Sequence, residues 1–270
     1  METRLSWTVA IIEVGVLPGC VLRSYVRDAD PEAVADLPCY CWLLRDGAMS
    51  VLVDTGPDAE ASAGIGYHVS GDTRAALAGG LRAAEAAPDD IGLLLHTHLH
   101  QDHVQNDTLF TRAEVVVQRR ELDEALAADA ACKSLSAALR AELADAPYPV
   151  SQAAGIWYIG TESLVRGWRG RASTVDGDHA VLPGLRVIWN GGHTAGHQSV
   201  VAETEGGLVC IAGDIVSLAA NAVVPGPMTP DEAAAEAFLA RAHEEGWELV
   251  PSHEPSMRQD QRYVRRASAR

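Results

Sequence analysis

"HTHLHQDH", residues 96–103, packs four histidines and one aspartate into eight positions. It follows "IGLLL" (91–95), a short apolar run that predicts a buried strand, so the cluster stands at a strand's carboxyl end. In an extended segment the alternation at 98–100 places two imidazoles on the same side, whereas Asp102 and His103 point elsewhere. One segment can therefore provide ligands for two metal ions.

The four donors His98, His100, Asp102 and His103 do not complete two metal sites. Further His or Asp side chains must therefore come from distant parts of the chain. His193 lies in the glycine-rich "NGGHTAGHQS", directly after the apolar run "LRVIWN". Asp214 ends the run "CIAGD", and His253 ends the run "VPSH". Each of the three is predicted to stand where a strand ends, as the first cluster does.

The rest of the pattern predicts an α/β fold made of two similar β/α halves. Residues 40–55 are expected to form a hairpin that turns at "RDG", and "SVVAETEGGLVCIAGD" a second hairpin that turns at "EGG". Both turns contain glycine, and both second strands end at an aspartate. Helices are predicted at 73–86, after the strand 114–118, and behind Pro230. Since no linker separates the halves, residues 1–270 are predicted to form a single domain.

Composition restricts the class of function. The chain has 270 residues, 47% of them apolar but only 5% aromatic, which indicates a globular protein with an aliphatic core. The formal net charge of −16 would repel nucleic acid and anionic lipid, so neither is expected as a partner. The first 19 residues resemble a strand more than a signal peptide, and no run has the ~20 apolar residues of a membrane helix. The expected partner is a small-molecule substrate.

The five cysteines are odd in number and irregularly spaced, which argues against a disulfide framework. A reducing, cytoplasmic location is the expectation. Cys39 and Cys41 could bind metal only with further ligands nearby, and are predicted to be small buried apolar residues outside the site.

The motifs "VLVDTG", "HLHQDH", "GGHTAGH", "AGD" and "PSH", in this order, resemble those of the metallo-β-lactamase superfamily. The resemblance covers roughly residues 40–255. Within the superfamily, "HTHLHQDHVQNDTLFTRAEVVVQRREL" and "GGHTAGHQS" are similar to the N-acyl homoserine lactonase-like group. This resemblance implies an αββα sandwich with a two-metal cleft between the sheet edges.

The same resemblance implies a cofactor of two divalent metal ions and assigns the residues that hold them. One ion would be bound by His98, His100 and His193, the other by Asp102, His103 and His253, with Asp214 bridging both. Asp54 of "VLVDTG" is similar to the acid that orients a ligand imidazole. Zinc is the expected ion, with iron, manganese and cobalt as alternatives, because imidazole and carboxylate accept all four.

The chemistry of such a site favours hydrolysis without a serine or cysteine nucleophile. Two ions ~3.5–4 Å apart can share a hydroxide, lower its pKa and polarise a carbonyl or phosphoryl oxygen. Asp102 is the predicted catalytic residue, since a ligand with a free oxygen can afterwards protonate the leaving group. The predicted reaction is opening of a lactone or cleavage of a related ester.

Other hydrolases on this fold remain alternatives, namely thioesterases, β-lactamases and phosphoester hydrolases, as does an iron-dependent oxygenase. Lactonases usually carry a pocket tyrosine soon after the bridging aspartate, whereas "GDIVSLAANAVVPGPM" has none, so the acyl substrate stays open. His96 and His197 are predicted to support their loops. Residues 57–72 and 157–170 are expected to be loops that overhang the metals.

Overall fold

The computed structural model describes residues 6–63, 68–144, 146, 148–168 and 170–259. Within these ranges, two β-sheets lie face to face and helices cover their outer faces. The strands are β1 (Thr8–Val21), β2 (Val34–Arg45), β3 (Ser50–Val53), β4 (Leu93–Leu95), β5 (Glu114–Gln118), β6 (Ala172–Val175), β7 (His179–Leu182), β8 (Leu185–Trp189), β9 (Gln198–Thr204), β10 (Gly207–Gly213) and β11 (Trp247–Pro251). The α-helices are α1 (Ala59–Ala63), α2 (Thr73–Ala83), α3 (Gln101–Val104), α4 (Arg119–Lys133), α5 (Ala137–Ala144), α6 (Tyr148–Ala153), α7 (Thr161–Gly167) and α8 (Glu232–Glu244).

The two sheets are built from the same unit. The first sheet has the strand order β1-β2-β3-β4-β5-β6, and the second has the order β11-β10-β9-β8-β7. In the first, the antiparallel hairpin β2–β3 is followed by the parallel strand β4; in the second, the hairpin β9–β10 is followed by the parallel strand β11. The predicted αββα sandwich of two similar halves is confirmed.

An aliphatic core fills the space between the sheets. Val51 and Val53 of β3 face this layer from the first sheet, and Val187 and Val200 face it from the second; all four are fully buried. Because strand side chains alternate between faces, Leu52 points outward, into the layer beneath the helices. Burial of apolar surface on both faces thus holds each sheet in the middle of the molecule.

Helix α2 shows why the outer layer forms. Thr73, Leu77 and Leu81, four residues apart, are its buried side chains, and Asp72 caps its N-terminus by accepting from Ala75 N. Helix α8 has the same kind of cap, from Asp231, and packs on the second sheet. Both helices lie within segments for which the sequence predicted them.

The prediction of a loop over 157–170 is wrong for Thr161–Gly167, which form α7. This helix is stabilised by tertiary contacts that its sequence does not show, since the Asp129 side chain of α4 accepts from the backbone N–H groups of Gly160 and Glu162. Helix α1 likewise interrupts the predicted loop 57–72. Residues 64–67 and 169 of these two segments lie outside the described residues.

None of the helices among the described residues is long and apolar enough to span a bilayer. The five cysteines are free thiols, and Cys39 and Cys41 are buried, as their apolar surroundings in the sequence predicted.

Candidate metal centre

The predicted ligands come together because the strands that precede them end at facing edges of the two sheets. Strands β3 and β4 run parallel in the first sheet, as β10 and β11 do in the second. Their carboxyl ends therefore meet, and the next residues of the chain project into one cleft. The segments that follow strands β3, β4, β8, β10 and β11 carry, respectively, Asp54, residues 96–103, His193, Asp214 and His253.

Seven buried side chains form overlapping groups within this cleft. In each group the ligand atoms lie within 4.8 Å of one another. The first cluster is His98, His100 and His193, and the second cluster is Asp102, His103 and His253. Asp214 groups with His98 and His103, between the two clusters. The structure thus brings all seven residues that the sequence singled out into one centre.

In the first cluster, His100 and His193 are each oriented by a polar partner at one ring nitrogen, and the other ring nitrogen faces the centre. Gln152 Oε1 lies 2.9 Å from His100 Nε2, and the Met228 carbonyl oxygen lies 2.6 Å from His193 Nδ1. The inward nitrogens, His100 Nδ1 and His193 Nε2, are 3.1 Å apart. His98 Nε2 is buried without a hydrogen-bond partner. Buried nitrogens so oriented are ready to coordinate a cation.

The second cluster is oriented in the same way by different partners. Asp54 Oδ2 lies 2.8 Å from His103 Nδ1, and the Pro38 carbonyl oxygen lies 2.8 Å from His253 Nδ1. The opposite nitrogens, Nε2 of His103 and Nε2 of His253, lie 3.3 and 3.2 Å from Asp214 Oδ1. Asp54 therefore occupies the position of the acid that the sequence analysis expected beside a ligand imidazole.

Asp54 is itself fixed by the chain next to the first cluster. Its two oxygens accept hydrogen bonds of 2.8 Å from the backbone N–H and the hydroxyl of Thr97. Its φ of 58° lies in the left-handed region, which aspartate tolerates better than most residues. Burial would raise the pKa of Asp54, but His103 and His96 lower it to about 2. The orienting group is therefore a carboxylate.

Asp214 presents one oxygen to each cluster. Oδ1 faces His103 and His253, as given above, whereas Oδ2 lies 3.6 Å from His193 Nε2. Ser252 fixes the carboxylate by donating to Oδ1 at 2.6 Å, and Gly213 precedes it with a φ of 65°. The carboxylate of Asp214 therefore lies between the two clusters and could serve both.

The two clusters differ in their electrostatics. Burial, followed by the neighbouring imidazoles, lowers the pKa of His98 and His100 well below the ordinary value, so these rings are neutral. Burial would also lower the pKa of His103 and His253, but Asp214 above all raises it well above the ordinary value, helped by Asp102 and Asp54 at His103 and by the Cys39 thiol at His253. In turn, these two rings hold the pKa of Asp214 well below its usual range despite burial. The rings of the first cluster are already neutral, and those of the second cluster become neutral ligands once a bound cation displaces their protons. Neutral imidazoles and ionised carboxylates are the ligands that zinc and similar divalent ions take, so the residues fit such ions.

The remaining buried histidines support the loops. Asp107 Oδ2 lies 2.9 Å from His96 Nε2 and, with Asp54, raises the pKa of His96 to about 9 against the effect of burial. His197 Nδ1 lies 2.8 Å from Asn190 Oδ1, and its Nε2 accepts from the backbone N–H of Asp214 at 3.0 Å. Both positions agree with the structural roles predicted for these histidines.

A cavity of about 530 Å³ opens above the two clusters. Its floor includes His100, Asp102, Asp214 and His253, and His68 and Trp157 of the two predicted overhanging segments line it. Its walls include the apolar side chains of Leu17, Val21, Trp157 and Met228. The cavity therefore suits a small molecule with one polar end and one apolar part.

Sequence reasoning missed Tyr148, which lines this cavity from α6. Its ring stacks on that of His193, and its hydroxyl oxygen lies 3.3 Å from both ring nitrogens of His193. Burial, followed by the negative charge of Asp214, raises the pKa of Tyr148 well above its ordinary value, so the hydroxyl keeps its proton. No tyrosine follows Asp214 closely in the sequence, where Ser217 stands instead. The tyrosine hydroxyl of the site comes from α6. No local motif marks Tyr148.

Known proteins share this fold. The family model described as the Metallo-beta-lactamase superfamily matches residues 34–253. An N-acyl homoserine lactonase of Bacillus thuringiensis is 28% identical over 198 residues, which are 69% of this chain and 67% of the relative. A solved N-acyl homoserine lactone hydrolase with the product N-hexanoyl-L-homoserine bound at its catalytic metal centre is 21% identical, with a TM-score of 0.72 over 95% of this chain and 96% of that one. A dizinc quorum-quenching lactonase is 16% identical, with a TM-score of 0.68 over 94% and 90% of the two chains.

Proposed function

The chain belongs to the Metallo-beta-lactamase superfamily, as its motifs predicted, and is a metal-dependent hydrolase; from this premise we propose that it opens lactone rings at a centre of two divalent ions. The ligands would be seven residues, namely the six of the two clusters together with Asp214. Zinc would be the ion. The relatives named as lactonases support the substrate class.

The observation that carries the dinuclear proposal is the orientation of Asp214. Its two oxygens face different groups of imidazoles, and each cluster supplies three further donors of its own. A single ion rarely takes more than six ligands, so seven buried donors in one cleft favour two ions. Two such ions would lower the pKa of a bound water molecule and polarise the carbonyl oxygen of a substrate.

The residues of the cavity would bind and orient the substrate. An ester or lactone carbonyl reaches the floor of the cavity, where the Tyr148 hydroxyl can donate to its oxygen. The apolar walls, to which Trp157 and Met228 belong, suit an acyl chain. The substrate is a small molecule of this type.

Asp102 is proposed to carry the proton. Its carboxylate is 7% exposed, lies on the cavity floor, and has Oδ2 3.8 Å from His253 Nε2. While one oxygen serves the second cluster, the other can take up the proton that the attacking water loses and deliver it to the alkoxide that leaves when the ring opens.

The experiment that tests the proposal is turnover without oxygen by protein loaded only with zinc. Metal-free protein and the zinc form are each given an N-acyl homoserine lactone under argon. The acid released by ring opening is followed with a pH indicator. A simple ester, a thioester, a phosphoester and a β-lactam are assayed in parallel. Turnover of the lactone by the zinc form alone is the expected result.

Two other results would correct the proposal. Activity that requires iron and consumes oxygen would exclude hydrolysis, because ester attack removes no electrons from the metals. Turnover of the thioester or the phosphoester alone would keep the hydrolytic centre and change the substrate class.

A further inference from the structure

Glu121, in the first turn of α4, is a fully buried carboxylate that belongs to neither cluster. Among the described residues it is paired with no basic side chain, and burial raises its pKa to about 7. It accepts hydrogen bonds on both oxygens: Oε1 from the backbone N–H of Leu99 at 2.8 Å and the hydroxyl of Tyr158 at 3.3 Å, and Oε2 from the hydroxyl of Thr194 at 2.5 Å.

The two closest donors lie on the two segments that carry the first cluster. Leu99 stands between His98 and His100, and Thr194 directly follows His193. These segments are far apart in sequence, yet one planar carboxylate binds both. Its two oxygens are a fixed distance apart, so Glu121 ties the two segments together beside the three histidines, whereas Gln198 joins them further back, at Thr97 and His96.

We propose that Glu121 is the positioning residue of the first cluster: by bridging Leu99 N and the Thr194 hydroxyl, it fixes the three histidines at the separation that a metal ion requires. The inference rests on the metal centre of the proposed function, but not on the identity of the substrate.

Close packing between helix α4 and the segment that carries His193 supports this role. A Cβ atom added to Gly196 would lie 2.1 Å from the backbone nitrogen of Glu121 and 2.4 Å from its Cα. The segment that carries His193 therefore lies directly against the start of α4, and neither can move toward the other.

A second route joins Glu121 to His100. Tyr158, which donates to Glu121, accepts from Gln152 Nε2 at 3.3 Å, and Gln152 Oε1 is the partner of His100 Nε2. The second cluster has separate anchors, Asp54 and the Pro38 carbonyl. Loss of Glu121 should therefore weaken the first cluster and spare the second.

The test is Co²⁺ binding to each cluster alone, measured by calorimetry and by the visible absorption of Co²⁺. His253→Ala disables the second cluster, and His100→Ala disables the first. Glu121→Gln is placed in both backgrounds; it is isosteric but has one acceptor oxygen instead of two, so Leu99 N and the Thr194 hydroxyl can no longer both donate to it as they do to the carboxylate. Glu124→Gln is the matched control, because Glu124 lies on the same helix and, in the part of the chain that the structure describes, accepts from Ala195 N at 3.2 Å, a single contact that the remaining oxygen of a glutamine can keep.

In the His253→Ala background, Glu121→Gln should weaken Co²⁺ binding about 10- to 100-fold and change the Co²⁺ spectrum, as loss of a group that orients ligands does. In the His100→Ala background it should leave binding unchanged, and Glu124→Gln should have no effect in either. Equal weakening in both backgrounds, or none, would overturn the proposal. If Glu121→Gln does not fold, Thr194→Val takes its place, because it removes one of the two hydrogen bonds to Glu121. It should give a smaller loss of Co²⁺ affinity, at the first cluster only. Wild-type protein that binds no Co²⁺ would overturn the metal centre itself, which is a different result.

Discussion

Gly213→Ala should destabilise the protein and displace the aspartate between the two clusters. Gly213 ends β10 with φ 65° and ψ −156°, a conformation open almost only to glycine. An added Cβ would lie 2.7 Å from His197 Nε2 and 2.9 Å from Thr97 Cβ. His197 Nε2 accepts from the backbone N–H of Asp214, so its displacement moves the chain at the bridging carboxylate.

The magnitude follows from two costs. Backbone strain of this kind costs about 1–3 kcal/mol, and an extra methyl in a packed region costs about 1–3 kcal/mol more. A control at Gly207, the first residue of β10, separates the two costs. Its φ is also positive, at 125°, but an added Cβ would meet nothing within 4 Å. Gly207→Ala should therefore show only the first cost, and the free energies of unfolding should differ by roughly 1–3 kcal/mol.

Urea unfolding of metal-free protein, followed by circular dichroism, measures this difference without a contribution from metal binding. Metal content after reconstitution should fall for Gly213→Ala and not for Gly207→Ala. Equal unfolding free energies with full metal content in both variants would show that Thr97 and His197 yield to the methyl group, and would refute the reasoning.

The residues that could be predicted are those whose role follows from their neighbours in the sequence. Donors of one chemical type, each after an apolar run that ends a strand, predicted both the fold and the ligands, because strands of one direction bring their carboxyl ends to one edge. The helices α2 and α8 were predictable from their apolar spacing. That residues 1–270 form one domain stays a prediction, supported by the inner core that both sheets share.

The residues that could not be predicted act through tertiary packing. Tyr148 enters the site because α6 lies across the cavity, and nothing near it in sequence is a ligand. Glu121 occupies a helix start, where acidic residues are common and usually exposed, and only the packing of the His193 segment on α4 buries it. Helix α7 depends on Asp129, which is distant in sequence.

Three further predictions concern the centre itself. His193→Ala should abolish turnover and lower the melting temperature of the metal-loaded protein, because the ions also tie strand ends together; near-normal activity at half the metal content would contradict its role as a ligand. Tyr148→Phe should lower kcat for the lactone with metal content unchanged, since only a hydroxyl is lost; an unchanged kcat would remove Tyr148 from the reaction. Asp102→Asn should slow lactone opening by about 10²–10⁴-fold, because an amide cannot deliver the proton that the departing alkoxide needs. A 4-nitrophenyl ester, whose leaving group departs without a proton, should lose much less in the same variant at the same metal content. A comparable loss on both substrates would mean that Asp102 serves only to hold the second ion.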